Sequence, residues 1–234
     1  YVKWDDTPAS LQHFGESAVR AYKIALTPPY GPVVIVADTE LQERPIPDGA
    51  NLRVPKLTLA SPPQGDSGAV AEVARLLVGA TTPLLIADKL ARTPAGMQHL
   101  IELAELLQAA VVSQNGRMNF PSQHPLNQTM RSEAVIGEAD VIVALETANI
   151  FGVLHAFRDQ VHRTSRPLTK TDVKLASITA GDLYLKANYQ DFQRYPEVDV
   201  AIAADAEATL PSLIEAVKRL ITDARRRAFG ERAK

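Results

Sequence analysis

Apolar residues along the chain fall into short unbroken runs separated by stretches with helical spacing. Pro83 to Ala87 is five residues without a polar side chain, too short for a buried helix and suited to a buried strand. A polar turn, Asp88 to Thr93, follows. Pro94 then stands at a first helical position, with Thr93 ahead of it as an N-cap. Met97, Leu100, Ile101, Ala104 and Leu107 recur on one helical face. A buried strand feeding a surface helix is the half-unit of a parallel α/β sheet. The same grammar predicts helices over 69–77, 131–138, 150–161 and 206–221. It predicts strands over 109–113, 141–145, 175–178 and 198–203. The fold class implied is α/β: a Rossmann-like, doubly wound, mostly parallel sheet.

Ahead of it lies less. Ser10 to Leu26 reads as a helix, with Leu11, Phe14, Ala18, Ala21, Tyr22 and Ala25 as its apolar face. Val33 to Ala37 reads as a strand. One helix and one strand are too little to fold alone, so this piece is expected to be the remnant of another domain. Residues 39–66 carry Pro45, Pro47, Pro55, Pro62 and Pro63 and read as an extended linker. Leu57 and Leu59 alternate with polar residues and suggest a short edge strand. Asn115-Gly116 signals a turn, 120–126 a proline-rich loop, and 163–171 a basic polar loop.

Composition narrows the chemistry. The chain has 234 residues, 46% hydrophobic and 22% charged, enough for a real core. A net charge of −2 gives no field for nucleic acid or membrane. The absence of cysteine removes disulfides, thiolate nucleophiles and cysteine zinc sites. No apolar run approaches a membrane span, and the first residues lack the apolar core of a signal peptide. The abrupt start suggests a fragment of something longer. Residues 218–234 hold seven basic and two acidic residues and read as a solvated connector.

In an open α/β sheet ligands bind beyond the carboxyl ends of the strands. The residues there are 88–92, 113–117, 146–149 and 179–182. A dinucleotide site wants a G-x-G-x-x-G turn after the first strand; this chain has Ala87-Asp-Lys-Leu-Ala-Arg92. The nucleotide candidates are therefore limited to Asp88, Lys89, Arg92, Thr147, Thr179, Gly181 and Asp182. Asp38, Asp182 and Asp205 sit near strand ends and read as helix caps. The five histidines show no metal-ligand spacing, and no G-x-S-x-G elbow or Walker loop occurs.

Several segments resemble a known family in order. Lys3-Trp-Asp5, Pro8-Ala, Ala21-Tyr, Thr27-Pro-Pro-Tyr-Gly-Pro-Val33 and Asp38-Thr-Glu-Leu-Gln-Glu43 resemble the end of the pyrimidine-binding domain of thiamine diphosphate enzymes. These are the acetolactate synthase, benzoylformate decarboxylase and oxalyl-CoA decarboxylase group. Thr82-Pro-Leu-Leu-Ile86, Asn119-Phe-Pro-Ser-Gln-His-Pro-Leu126, Glu138-Ala-Asp-Val-Ile-Val143 and Asp199-Val-Ala-Ile-Ala-Ala-Asp-Ala206 resemble its central domain. The resemblance implies residues 1–38 as the pyrimidine-domain remnant, 39–66 as linker, 67–222 as central domain, and 223–234 as the start of a connector to a pyrophosphate domain. It implies thiamine diphosphate and magnesium in the full-length enzyme, and a cytoplasmic homo-oligomer without nucleic-acid or membrane partners. The family's activating glutamate lies earlier in the first domain and its Gly-Asp-Gly metal motif in the third. These 234 residues hold neither, so no catalytic residue, no metal and no cofactor of their own are expected. Some relatives bind FAD or ADP in this domain. The Ala144-Leu-Glu-Thr-Ala-Asn-Ile-Phe-Gly152 and Ile178-Thr-Ala-Gly-Asp182 segments depart from those relatives, which lowers the expectation of a nucleotide. The alternative is a stand-alone ADP- or FAD-binding module.

Overall fold

The computed structural model describes residues 2–114, 118–159, 161, 164–183 and 194–232, and the chain divides into two units between Pro62 and Pro63. In the first unit, strand β1 (Trp4–Asp6) pairs in parallel with β2 (Val33–Ile35), and helix α1 (Leu11–Ala25) crosses between them. Ser10 caps α1 by accepting from the His13 N–H. Lys3 Nζ closes the other end, donating to Ile24 O at 3.0 Å and Thr27 O at 2.6 Å, where a cation suits the helix dipole. The expected apolar face of α1 is corrected: of that set only Ala21 is buried, beside Ser17, while Phe14 and Tyr22 are exposed. A sheet of two short strands is too narrow to cover the whole stripe. Asp38 caps a five-residue helix, α2 (Thr39–Glu43), a turn of structure within the stretch that reads as linker. The edge strand suggested by Leu57 and Leu59 does not form; both side chains are exposed.

The second unit is built on five parallel strands. Helix α3 (Ser67–Gly79), capped by Asp66, leads into β3 (Pro83–Ala87), and α4 (Pro94–Leu107), capped by Thr93, leads into β4 (Ala110–Ser113). A 3-10 turn (Thr129–Arg131) and α5 (Ser132–Glu138) precede β5 (Val141–Leu145). Then come α6 (Ile150–Val153), β6 (His155–Asp159), β7 (Thr164–Pro167), β8 (Lys174–Ile178), a 3-10 helix (Ala180–Leu183), β9 (Val200–Ile202), α7 (Ala206–Leu220) and α8 (Asp223–Arg232). The strand order β4-β3-β5-β8-β9 is doubly wound, with its switch point between β3 and β5.

Strand alternation sorts the core into two layers. Leu84, Ile86, Ile142 and Leu175 face one side with Ile136 and Leu154. Leu85, Ala87, Val143, Leu145 and Ile178 face the other, beneath Leu77, Leu103, Leu107 and Leu213 of α3, α4 and α7. Burial on both faces is why these strands read as unbroken apolar runs. Residues 126–129 cover the β4 edge: Val111 N donates to Leu126 O, and Gln128 N to Val111 O.

The helix expected over 150–161 and the loop over 163–171 are corrected. Asn149 caps α6, which ends at Val153, and β6 pairs antiparallel with β7. Over so short a segment the apolar positions fit a period of two as well as 3.6. Cross-strand pairing, anchored where Leu168 N donates to Leu154 O, decides the outcome. The Asn115-Gly116 turn lies outside the described residues.

Asp140 ties β3 to β5 at the amino edge of the sheet. Its carboxylate accepts from Thr81 N at 2.6 Å and Thr82 N at 2.9 Å. Burial alone would raise its pKa, but the bonds from Thr81 and Thr82 together outweigh it and hold the carboxyl below its ordinary 3.8. The stability it contributes is present above that value and is lost as pH falls through the depressed folded pKa. Asp140→Asn is expected to cost about 1–3 kcal/mol at pH 7. It should also flatten the acid limb below pH 3.8, read from urea midpoints between pH 5 and 2; an unchanged limb counts against this role.

Candidate functional site

The loops after β3, β5, β8 and β9 converge at the carboxyl edge. Among the described residues, 88–92, 146–149, 179–181 and 205–207 are held by polar groups of their neighbours. Asp88, 1% exposed, accepts from Ala148 N at 3.2 Å and so joins the β3 loop to the β5 loop. Thr147 is buried, its hydroxyl directed at Ile86 O at 3.4 Å. Asn119, fully buried, accepts from Ala91 N at 3.0 Å and donates to Ala87 O and Ser113 Oγ, both at 3.2 Å.

Two carboxylates occupy the centre. Glu146 follows β5 with φ of +51°, a left-handed conformation that costs a non-glycine residue. It is 9% exposed and accepts from Ala206 N at 2.9 Å, Thr179 Oγ1 at 3.0 Å and Ala180 N at 3.1 Å. Those amides open α7 and the 3-10 helix after β8. Burial raises its carboxyl above the ordinary range; the bonds from Ala206, Thr179 and Ala180 oppose this and the nearby Asp205 adds to it. Glu207 lies against the start of α4. Its Oε2 accepts from Arg92 N at 2.8 Å, and its Oε1 from the Thr93 hydroxyl. A Cβ on Gly96 would meet the Glu207 carboxyl carbon at 2.5 Å, so a larger residue there would push this carboxylate off its place. Between them, the Arg92 guanidinium pairs with Asp205, whose side chain is fully buried, and its Nε lies 3.6 Å from Glu207. Asp205 also caps α7 by accepting from Ala208 N at 2.9 Å.

The structure thus gathers the residues singled out in the sequence at one edge, but in internal roles. Arg92 is committed to Asp205 and Glu207. Lys89 is exposed, with its N–H directed at Glu146 O. Thr179 serves Glu146, and its hydroxyl oxygen also accepts from Gly181 N at 3.0 Å. Asp182 stands on the rim of a cleft with Thr147, Asn149, Thr179 and Tyr195, and partial burial pushes its carboxyl above the usual range. Among the described residues the cleft holds about 110 Å3, and a hollow of about 520 Å3 adjoins it at Phe151, Tyr195, Pro196 and Val198. Asp38 and Asp205 are caps, as read from sequence, whereas Asp182 lies inside the 3-10 helix and caps nothing there. Glu146 and Glu207 escape that reading: an acidic residue ending an apolar run carries no signal of a left-handed backbone, and a first-turn glutamate of α7 carries none of a partner 115 residues away.

The starts of α4, α7 and the 3-10 helix after β8 thus already face carboxylates, the charge that a helix start favours. Among the described residues no three acidic or histidine side chains cluster as a metal site, and no described helix is long and apolar enough to cross a membrane.

Residues 70–213 match the family described as thiamine pyrophosphate enzyme, central domain. No curated protein sequence matches the chain. Among solved structures, the fold superimposes with a TM-score of 0.68 on one titled as a thiamin diphosphate-dependent enzyme from Mycobacterium smegmatis, at 23% identity. It does so equally, at 0.68 and 23%, on benzoylformate decarboxylase from Polynucleobacter necessarius. The alignments take in 93% of this chain in both cases, and 40% and 39% of those chains. The chain therefore spans about two fifths of the length of these relatives in fold.

Proposed function

Because this chain belongs to the thiamine pyrophosphate enzymes, through their central domain, we propose that it is the structural, inter-domain part of a decarboxylase or carboligase acting on 2-keto acids, acetolactate synthase-like in kind. Residues 1–38 would complete a pyrimidine-binding domain, 39–66 would link, 67–222 would form the central domain, and 223–234 would lead towards a pyrophosphate domain. The partners are those two domains and further copies of the same chain, in the cytoplasm. Thiamine diphosphate and magnesium would be held by the neighbouring domains and would supply the carbanion chemistry; this chain would contribute framework and no catalytic residue.

The observation that supports a framework role is the filling of the carboxyl edge by Glu146, Glu207 and the Arg92–Asp205 pair. The same observation weighs against the alternative, an ADP- or FAD-binding module using Asp88, Lys89, Arg92, Thr147, Thr179, Gly181 and Asp182. Calorimetry discriminates. Titration with ADP, FAD, or thiamine diphosphate plus magnesium is expected to give no saturable heat with this chain. Saturable ADP or FAD binding would favour the module; saturable thiamine diphosphate binding would remove the framework reading. A longer chain with flanking domains should release CO2 from a 2-keto acid only when thiamine diphosphate and magnesium are supplied.

A further inference from the structure

Helix α8 has four arginines and one large apolar side chain, Phe229. Such a helix has little reason to pack, yet Phe229 is 5% exposed. Arg232 explains the docking. Its Nη1 donates to Leu107 O at 2.5 Å and its Nη2 to Ala80 O at 2.8 Å. Leu107 is the last residue of α4, and Ala80 is the C-cap of α3. Both carbonyls belong to the group that a helix end leaves without an internal partner, and the negative end of a helix dipole favours a cation there. The guanidinium carbon also stands 5.0 Å from the centre of the Phe229 ring; burial disfavours its charge, the Asp140 carboxylate attracts it and Arg225 repels it. A hollow of about 440 Å3 lies between Phe229 and Arg226 of α8 and Leu106, Gln108 and Ile221 below.

We infer that α8 is a releasable strap: the planar fork of Arg232 closes the ends of α3 and α4 together, and undocking of α8 frays both at once. A lysine cannot replace the fork, because one ammonium does not present two donors in a fixed plane. The strap lies at the amino edge of the sheet, beside Asp140, in the segment proposed above to lead towards a further domain. It makes the ends of α3 and α4 responsive to force or contact on α8.

The test uses the whole chain. Trypsin can cut after Arg225, Arg226 and Arg227 once α8 leaves the surface. Arg232→Ala is expected to speed that cleavage about tenfold by raising the open population. Amide exchange should quicken at Ala80 and Ala109, whose N–H groups close the last turns of α3 and α4, and stay unchanged in β3 and β5. Arg232→Lys should fall between the two and serves as the reading variant if the alanine form loses β3 protection. Unchanged cleavage would overturn the strap. Faster cleavage with Ala80 and Ala109 still protected would overturn the coupling.

Discussion

Arg92→Ala is expected to destabilise the second unit by about 3–5 kcal/mol, the usual cost of leaving a buried charge without its partner. That is a large part of the about 5–15 kcal/mol that separates folded from unfolded domains. Arg92 donates through Nη2 to both oxygens of Asp205, whose side chain is fully buried. The alanine variant strands that carboxylate between the β3 loop and the start of α7. The Arg92 N–H bond to Glu207 survives, so the loop keeps one anchor. The diagnostic companion is Asp205→Asn, which retains a cap oxygen for Ala208 N without the charge. Arg92→Ala combined with Asp205→Asn should recover most of the loss, and Arg92→Lys should fall between, since it keeps charge but not the fork. Urea unfolding at pH 7 measures all four. A double variant as weak as Arg92→Ala would mean that packing, not an uncompensated charge, sets the cost.

The sheet was legible because its strands are buried on both faces and carry nothing polar. Pro83–Ala87 and Val141–Leu145 have the same bounds in sequence and structure, and Thr93-Pro94 marks the start of α4. Reading failed where tertiary pairing decides. Residues 155–159 could satisfy their backbone in a helix, and only the partner strand at 164–167 settles that they do not. On α1, spacing shows which residues share a face but not how much sheet exists to cover them. At the carboxyl edge, topology correctly points to 88–92, 146–149 and 179–182. It does not show that the acids there are acceptors for the domain's own amides. Glu207 illustrates the gap: it sits 115 residues from Arg92 in sequence, and nothing local joins it to Gly96.

Glu146→Ala should remove the acceptor that Ala180 N and Ala206 N share, and burial of the site leaves them little water in exchange. Each orphaned N–H costs about 1–3 kcal/mol, and with the 9% exposure of Glu146 a combined loss of about 2–4 kcal/mol is expected. Glu146→Gly deletes the same carboxylate but suits φ of +51°, so it should be milder than alanine by about 1 kcal/mol. The order Glu, then Gly, then Ala separates the bonds from the backbone strain. An alanine variant at least as stable as the glycine variant would show that the strain is not real. The pH dependence has its own sign. Burial raises the folded pKa of Glu146 above its ordinary 4.5. Its linked stability is therefore fully present below 4.5 and is lost as pH rises through the raised folded value. The stability gap between wild type and either variant should widen as the pH is lowered through the raised folded value towards 4.5, opposite to the trend at Asp140. A gap that narrows over that interval would mean that the three donors, and not burial, dominate the carboxyl, and that the ionised form is the one the fold prefers.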